Sequence, residues 1–282
     1  MTELPDNFDL AQCERFLRDL GARHESVLPI AEEALALASF DRPRVALARY
    51  RRHLHSISRD VGRHAGGSHE LQARANALNE IILLKHGYSG DELTYDDLQN
   101  ANLMRVIDRR KGLPVALGIL YLDAARAQGW DVVGLGFPGH FLIRLADRAE
   151  RVIVDPFHGG RTLDAVALRE LLKAIAGQDI ELAPEYYAPV ADRDVLLRLQ
   201  NNLKSRLIQA QRHEEAVRVI ETMRMLAPDL AELAREAGLI HAQLGNMRAA
   251  VRSIEEFIAR SPEGSARHEA AVVLQQLKAK LN

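Results

Sequence analysis

Across residues 7 to 61, apolar residues recur at spacings of three and four: Leu10, Phe16, Leu17 and Leu20, then Val27, Ile30, Ala34, Leu35 and Leu37. That period predicts amphipathic helices. Asp41-Arg42-Pro43 fits a break, with Asp41 as N-cap of a helix running from Pro43 through Leu47, Leu54 and Ile57. His64-Ala-Gly-Gly-Ser-His69 reads as a loop, and a helix from Glu70 to about Lys85 follows, ended by Gly87. Gly90 to Asp97 is polar and turn-like. From Pro114 to about Gln128 most faces are apolar (Val115, Leu117, Ile119, Leu120, Leu122), which predicts a buried central helix with proline in its first turn. Three short β-type runs come next, Val132 to Leu135, Phe141 to Leu145 and Val152 to Val154, with a turn at Asp147-Arg148-Ala149. A helix ahead of an antiparallel sheet implies an α+β fold rather than βαβ. Thr162 reads as the cap of a helix from Leu163 to about Ile175, and Pro184 to Pro189 as a linker.

From about Asp194 the pattern becomes an internal repeat. Ala216 and Ala250, Met223 and Phe257, and Pro228 and Pro262 each lie 34 residues apart, the period of tetratricopeptide (TPR) helix pairs. Gly238, Leu244-Gly245 and Ala250 strengthen the second unit. The first unit is poorer, with Lys204 where a small residue belongs, and Ser265 to Asn282 supplies one more helix as a cap. The expected organisation is therefore 1–189, a helical N-terminal region with a central helix and antiparallel sheet, and 190–282, an all-α TPR tail that packs on the first domain.

Composition narrows the function classes. Of 282 residues 47% are apolar and 27% charged, enough to bury a full core, and the net charge of -2 gives no electrostatic reason to expect nucleic acid or an anionic membrane. No apolar run approaches a membrane span, and the acidic start MTELPDNFDL has no basic or apolar leader region. The single Cys13 excludes an internal disulfide, so a cytoplasmic location is expected. Nothing in the sequence demands a cofactor or sets an oligomeric state.

Several motifs give the chain a resemblance: Leu78-Asn79-Glu80, His86-Gly87-Tyr88, Val106-Ile107-Asp108-Arg109-Arg110, Gly112-Leu113-Pro114, Leu120-Tyr121-Leu122, Gly136-Phe137-Pro138-Gly139-His140-Phe141 and Asp155-Pro156-Phe157-His158-Gly159-Gly160. The chain resembles the SirB family of bacterial transglutaminase-like proteins with a TPR tail, over roughly residues 70 to 282. The resemblance implies a papain-like α+β core and a cytoplasmic protein, and it fixes no particular reaction. A related module in a eukaryotic F-box protein hints at protein partners. In transglutaminase-like enzymes a nucleophilic Cys opens the central helix, a His acts as its base and an Asp orients the His. On that resemblance Gly112 matches the glycine before the nucleophile, His140 the base and Asp155 its orienter. Pro114 stands where the Cys belongs.

No neighbour replaces it, since residues 101 to 160 contain no Ser, Thr or Cys. Cys13 reads as a small buried hydrophobe, and Lys111 sits in the basic turn Arg109-Arg110-Lys111. Three readings of His140 and Asp155 stand side by side: a structural hydrogen-bonded pair, a retained non-covalent binding site, or a metal site completed by His158. Three ligand types alone do not make a metal motif, so no metal is assigned. Arg109 is either a solvated turn residue or a substrate clamp. In the tail, Arg198, Asn202 and Arg235 are placed on the concave side, where they either hold a peptide carboxylate or simply solvate the groove. Two functions follow. One is a pseudo-enzyme that binds a protein or peptide through the cleft, the TPR groove or both; the other is a hydrolase or acyl transferase using His140 and Asp155 with water or a distant nucleophile.

Overall fold

A computed structural model describes residues 5, 8–23 and 27–281. The readings that touch residues 1–4, 6, 7, 24–26 and 282, among them the acidic start, lie outside the described residues. The chain divides into two compact units, one of Met1–Leu10 with Glu25–Leu199, the other of Ala11–His24 with Gln200–Asn282.

In the first unit, α2 (Ile30–Ser39), α3 (Ala48–Ala65) and α4 (Leu71–Asn79) precede the central helix. The break at residue 41 is longer than the sequence implies, because Asp41 does not cap α3. Its Oδ2 accepts instead from Arg105 Nε at 3.0 Å and Asn102 Nδ2 at 3.3 Å, which ties the break to α5 (Leu103–Arg109). After Asn79 the helix widens into a π-helical stretch, Glu80–Lys85, a local geometry common at functional sites. Gly90, expected in a turn, pairs with Gly112, so β1 (Ser89–Gly90) and β2 (Lys111–Gly112) form a short parallel ladder at the entrance of α6 (Pro114–Arg126).

The antiparallel sheet runs in the order β6-β5-β4-β3-β7. Its middle strands are β3 (Asp131–Leu135), β4 (Leu142–Asp147) and β5 (Glu150–Asp155). Two expectations give way at its edges. Thr162 lies in β6 (Arg161–Leu163) opposite Val154, and the cap of α7 (Ala165–Ala176) is Asp164, whose Oδ1 accepts from Val166 N at 3.0 Å and Ala167 N at 2.8 Å. The Pro184–Pro189 segment is not a free linker either. It forms a 3-10 turn and then β7 (Pro189–Val190), paired with Leu135 and Gly134 of β3, where an edge position tolerates the missing proline N–H.

Strand alternation sends Leu135 and Leu142, cross-strand partners, to one face, where they pack with Leu168, Leu171 and Leu172 of α7. The other face meets α6, and Phe141 is the wedge between them. A Cβ on Gly118 of α6 would lie 2.3 Å from Phe141 Cε1, and one on Gly134 of β3 2.8 Å from Phe141 Cζ. Two glycines, one on each layer, thus make the slot for one aromatic ring. At the far end of α6, Arg126 grips buried Asp192 through both guanidinium nitrogens (2.6 and 2.8 Å), and Leu28 N donates to the same carboxylate at 2.7 Å.

The second unit holds α1 (Leu10–Gly21), α9 (His213–Leu226), α10 (Ala231–Gln243), α11 (Met247–Arg260) and α12 (Ser265–Ala279), with the part of α8 (Asp192–Gln209) from Gln200 onward. The repeat positions behave alike, Ala216 and Ala250 being fully buried and Met223 and Phe257 nearly so. Gly238 admits Ile254, whose Cδ1 would lie 2.7 Å from an added Cβ. Lys204, the misfit of the first repeat, is buried and accommodated by Glu236, whose Oε2 accepts from Nζ at 2.5 Å. Among the described residues no helix is long and apolar enough to cross a membrane.

Gly118→Ala gains about 1 kcal/mol of helix propensity but drives a methyl into Phe141, and a fully packed core does not yield. A net destabilisation of about 1 to 2 kcal/mol is expected in denaturant melts, relieved in a Phe141→Leu background. A variant as stable as the parent would show that the slot is not tight.

Candidate functional site

His140 enters the site from the turn before β4, and Asp155 closes β5, the neighbouring strand in the sheet. Asp155 is fully buried, and four donors converge on its two oxygens. Its Oδ1 accepts from His140 Nε2 at 2.8 Å, from Phe157 N at 3.1 Å and from His158 N at 3.3 Å. Its Oδ2 accepts from His158 Nδ1 at 2.7 Å, with Arg161 Nε a further 3.6 Å away. Burial works against this charge, but the hydrogen bonds and charges of His140 and then His158 outweigh it and hold the carboxyl down to about 2. Asp155 is therefore a permanent anion at neutral pH. The His140 ring is 5% exposed and stacks on His158 with centroids 5.1 Å apart. Among the described residues nothing bonds its second nitrogen, Nδ1.

The flanking motifs hold this pair in place. Asn79 donates from Nδ2 to Gly160 O at 2.7 Å and accepts at Oδ1 from Tyr121 O–H at 2.9 Å, so α4, α6 and the loop after β5 are fastened at one amide. Gly160 has φ +67°, and a Cβ there would lie 2.0 Å from Asn79 Oδ1. Burial, and then the nearby Asp155 charge, push the Tyr121 hydroxyl far above its usual range, so it stays a donor. Phe157 lies over Gly90, where a Cβ would come within 2.7 Å of the ring. Arg198 donates to Phe137 O at 3.1 Å and His140 O at 2.7 Å, bracing the turn that presents the histidine. None of Asn79, Tyr121 or Arg198 was assigned this role from the sequence. The motifs Leu78-Asn79-Glu80 and Leu120-Tyr121-Leu122 and the paired glycines after Asp155 were the available signals, because a positive φ held against a neighbour marks a built loop.

The other expected site residues fall elsewhere. Pro114 is buried at the first position of α6. Arg109 is neither a solvated turn residue nor free for a substrate, since it donates to Asn100 Oδ1 and to Asp91 Oδ2, both at 2.9 Å. Asp91 is held down to about 2: burial opposes its charge, and Thr94, Arg109 and Asn100 prevail. Arg110, at φ +62°, donates to Tyr88 O–H and to His53 Nε2 at 2.6 Å each. Burial and then the Arg110 charge lower His53 to about 4. In the tail, Asn202 accepts from Arg206 at its backbone and side-chain oxygens, both at 3.0 Å. Arg235 donates to Glu232 Oε1 at 2.6 Å and covers the Phe257 ring. Arg198 belongs to the first unit and Asn202 and Arg235 to the second. Cys13 is buried, which pushes its thiol up to about 12 and leaves it protonated and unreactive.

A buried helix packed on an antiparallel sheet, with a His ahead of one strand bonded to the Asp that ends the next, fits the frame of a transglutaminase-like protein. The family model for the transglutaminase-like superfamily matches residues 48–201, and a tetratricopeptide repeat model matches 203–278. The chain belongs to the transglutaminase-like superfamily. More narrowly it is similar to a UPF0162 protein of Xylella fastidiosa (strain Temecula1), 34% identical over 189 residues, which are 66% of this chain and 67% of the relative. It is also similar to protein SirB1 of Salmonella typhimurium, 30% identical over 198 residues, or 69% and 73% of the two chains. A solved structure of menin aligns at a TM-score of 0.45 and 9% identity, covering 91% of this chain and 71% of menin, too distant to bear on fold or partner.

Asp155→Ala strands the His140 and His158 N–H groups and two backbone amides, and should cost about 1 to 3 kcal/mol at pH 7. His140→Gln, which keeps a donor, should cost less. Because the folded Asp155 titrates near 2 and its unfolded form near 3.8, its contribution is present above pH 3.8 and lost as pH falls toward 2. Acid titrations of the parent should show that loss, and those of Asp155→Ala should show a smaller one, since Asp91 titrates in the same range. A stability loss under about 0.5 kcal/mol would defeat the structural role of the pair.

Proposed function

We propose that this chain is a non-catalytic member of its superfamily that acts as a protein-interaction or regulatory scaffold in the cytoplasm. One observation carries the reading: the position that opens the central helix is Pro114. Proline removes two things that acyl transfer needs there. It has no side chain able to attack a carbonyl, and it has no backbone N–H to stabilise the oxyanion, a donor that the nucleophile's own residue commonly supplies. The buried, protonated Cys13 offers no substitute, and no Ser or Thr occurs in residues 101 to 160. Loss of the nucleophile alone removes nearly all acyl-transfer activity in enzymes of this kind.

Protein binding is supported by the tail. TPR repeats in general mediate protein–protein interaction, and the matched repeat spans 203–278. The alternative, a hydrolase in which His140 activates water, is favoured by the unbonded Nδ1 and by an ionised Asp155 behind the ring.

Purified protein should show no amidase, peptidase or transamidase turnover that depends on His140, while an affinity pull-down with the intact chain should recover a protein partner. Retention of that partner should survive His140→Ala if the repeats hold it and fail if the cleft does. Turnover abolished by His140→Ala in a folded protein would establish the hydrolase and sink the scaffold.

A further inference from the structure

The sequence offered His140, Asp155 and His158 as isolated ligand types, and the fold brings them to one point. One donor atom from each lies within 4.8 Å of the others. We propose that these three side chains form a binding site for a divalent transition metal, with zinc the best match to two imidazoles and one carboxylate.

The carboxylate is prepared for the ion. Asp155 is fully buried, and Oδ1 is anchored by the Phe157 and His158 backbone N–H groups, at 3.1 and 3.3 Å. Oδ2 takes no backbone bond and faces His158 Nδ1 at 2.7 Å, so one lone pair is left for a metal. Each imidazole frees its donor by a tautomer change: the proton moves to Nδ1 in His140 and to Nε2 in His158, and the ring stays neutral. Nδ1 of His140 is the nitrogen that is unbonded among the described residues, so it accepts that proton without breaking a contact.

Size also fits. Zinc bonds of about 2.0 to 2.2 Å in a tetrahedral site put donor atoms roughly 3.3 Å apart. The His158 Nδ1–Asp155 Oδ2 pair, at 2.7 Å, opens by about half an ångström to reach that, and the wider spacings in the set, all within 4.8 Å, close onto the ion. His158 makes the adjustment, because its side chain is 36% exposed whereas His140 and Asp155 are held in the core. That exposure gives the ion its entry, and three protein ligands leave a fourth position open. Arg161, 3.6 Å from Oδ2 and 51% exposed, is a cation that opposes the ion, and it has room to swing into solvent.

The site stands apart from the scaffold reading, since a bound ion needs no nucleophile on the central helix. Zinc titration of the intact, chelator-stripped chain by calorimetry should give one equivalent bound, and Co2+ should give the visible absorption of a tetrahedral nitrogen and oxygen set. His158→Ala, the exposed ligand, should weaken binding at least about ten-fold in a protein whose thermal melt shows that it remains folded without metal. Arg161→Ala should tighten it. The chain has 11 histidines, so His64→Ala with His69→Ala serves as the control and should bind as the parent does. No zinc uptake, or uptake that survives His158→Ala, would overturn the proposal.

Discussion

A carboxylate with no exposed surface stays ionised only if enough donors converge on it, and the cleft is arranged around supplying them to Asp155. Two ring nitrogens and two backbone amides point at its oxygens. The backbone donors require the chain to turn sharply straight after β5, which is what the glycines at 159 and 160, with φ of +70° and +67°, allow. The ring donors require two histidines to sit side by side, one just before β4 and one just after β5. A low effective dielectric strengthens each of these bonds and penalises any that is missing, so the cluster is held as a set rather than as independent pairs.

That demand propagates outward. The turn carrying His140 is fixed by the guanidinium of Arg198 on its carbonyls, and the loop carrying His158 by the amide of Asn79. Phe141, next to His140, is locked by Gly118 on one layer and Gly134 on the other. Several motif residues that mark the resemblance, Asn79 and Tyr121 among them, therefore fasten the central helix or one of the two loops. The Arg109–Asp91 and Arg110–Tyr88 contacts do the same at the entrance of the helix. Positioning has consumed the charged groups that a substrate clamp would have needed.

How much of this the sequence showed depended on the range of the interaction. The central helix, the three middle strands and the 34-residue repeat were legible because period and spacing are local properties. Order along the chain also named His140 and Asp155. Hidden were the features that rest on partners far apart in sequence. Asp41 was read as a helix cap because Asp before Pro usually is one, yet Arg105 and Asn102 claim it. Pro184 to Pro189 read as a linker because proline breaks ladders, but an edge strand needs no N–H on its outer side. Arg198 was assigned by repeat arithmetic to a groove, whereas its donors go to carbonyls some sixty positions away. The third member of the cluster, His158, was visible as a residue type, but its stacking on His140 belongs to the folded sheet.

On the proposed non-catalytic reading, the three positions of a nucleophile, its base and the orienting acid are not equally costly to change. The nucleophile's place is the first position of a helix, where proline has the right φ already and the lost N–H has no partner within the helix. Replacing a thiol there removes chemistry and leaves packing intact. The acid is different. Take Asp155 away and two imidazoles and two amides lose an acceptor in a buried place; take His140 away and a buried anion loses one of its two ring donors. A fold in this superfamily can therefore shed its reaction in one substitution at the helix end while its base and acid stay bonded for structural reasons. A polar cluster retained on those terms, with one histidine open to solvent, is then available for a ligand that needs no nucleophile at all.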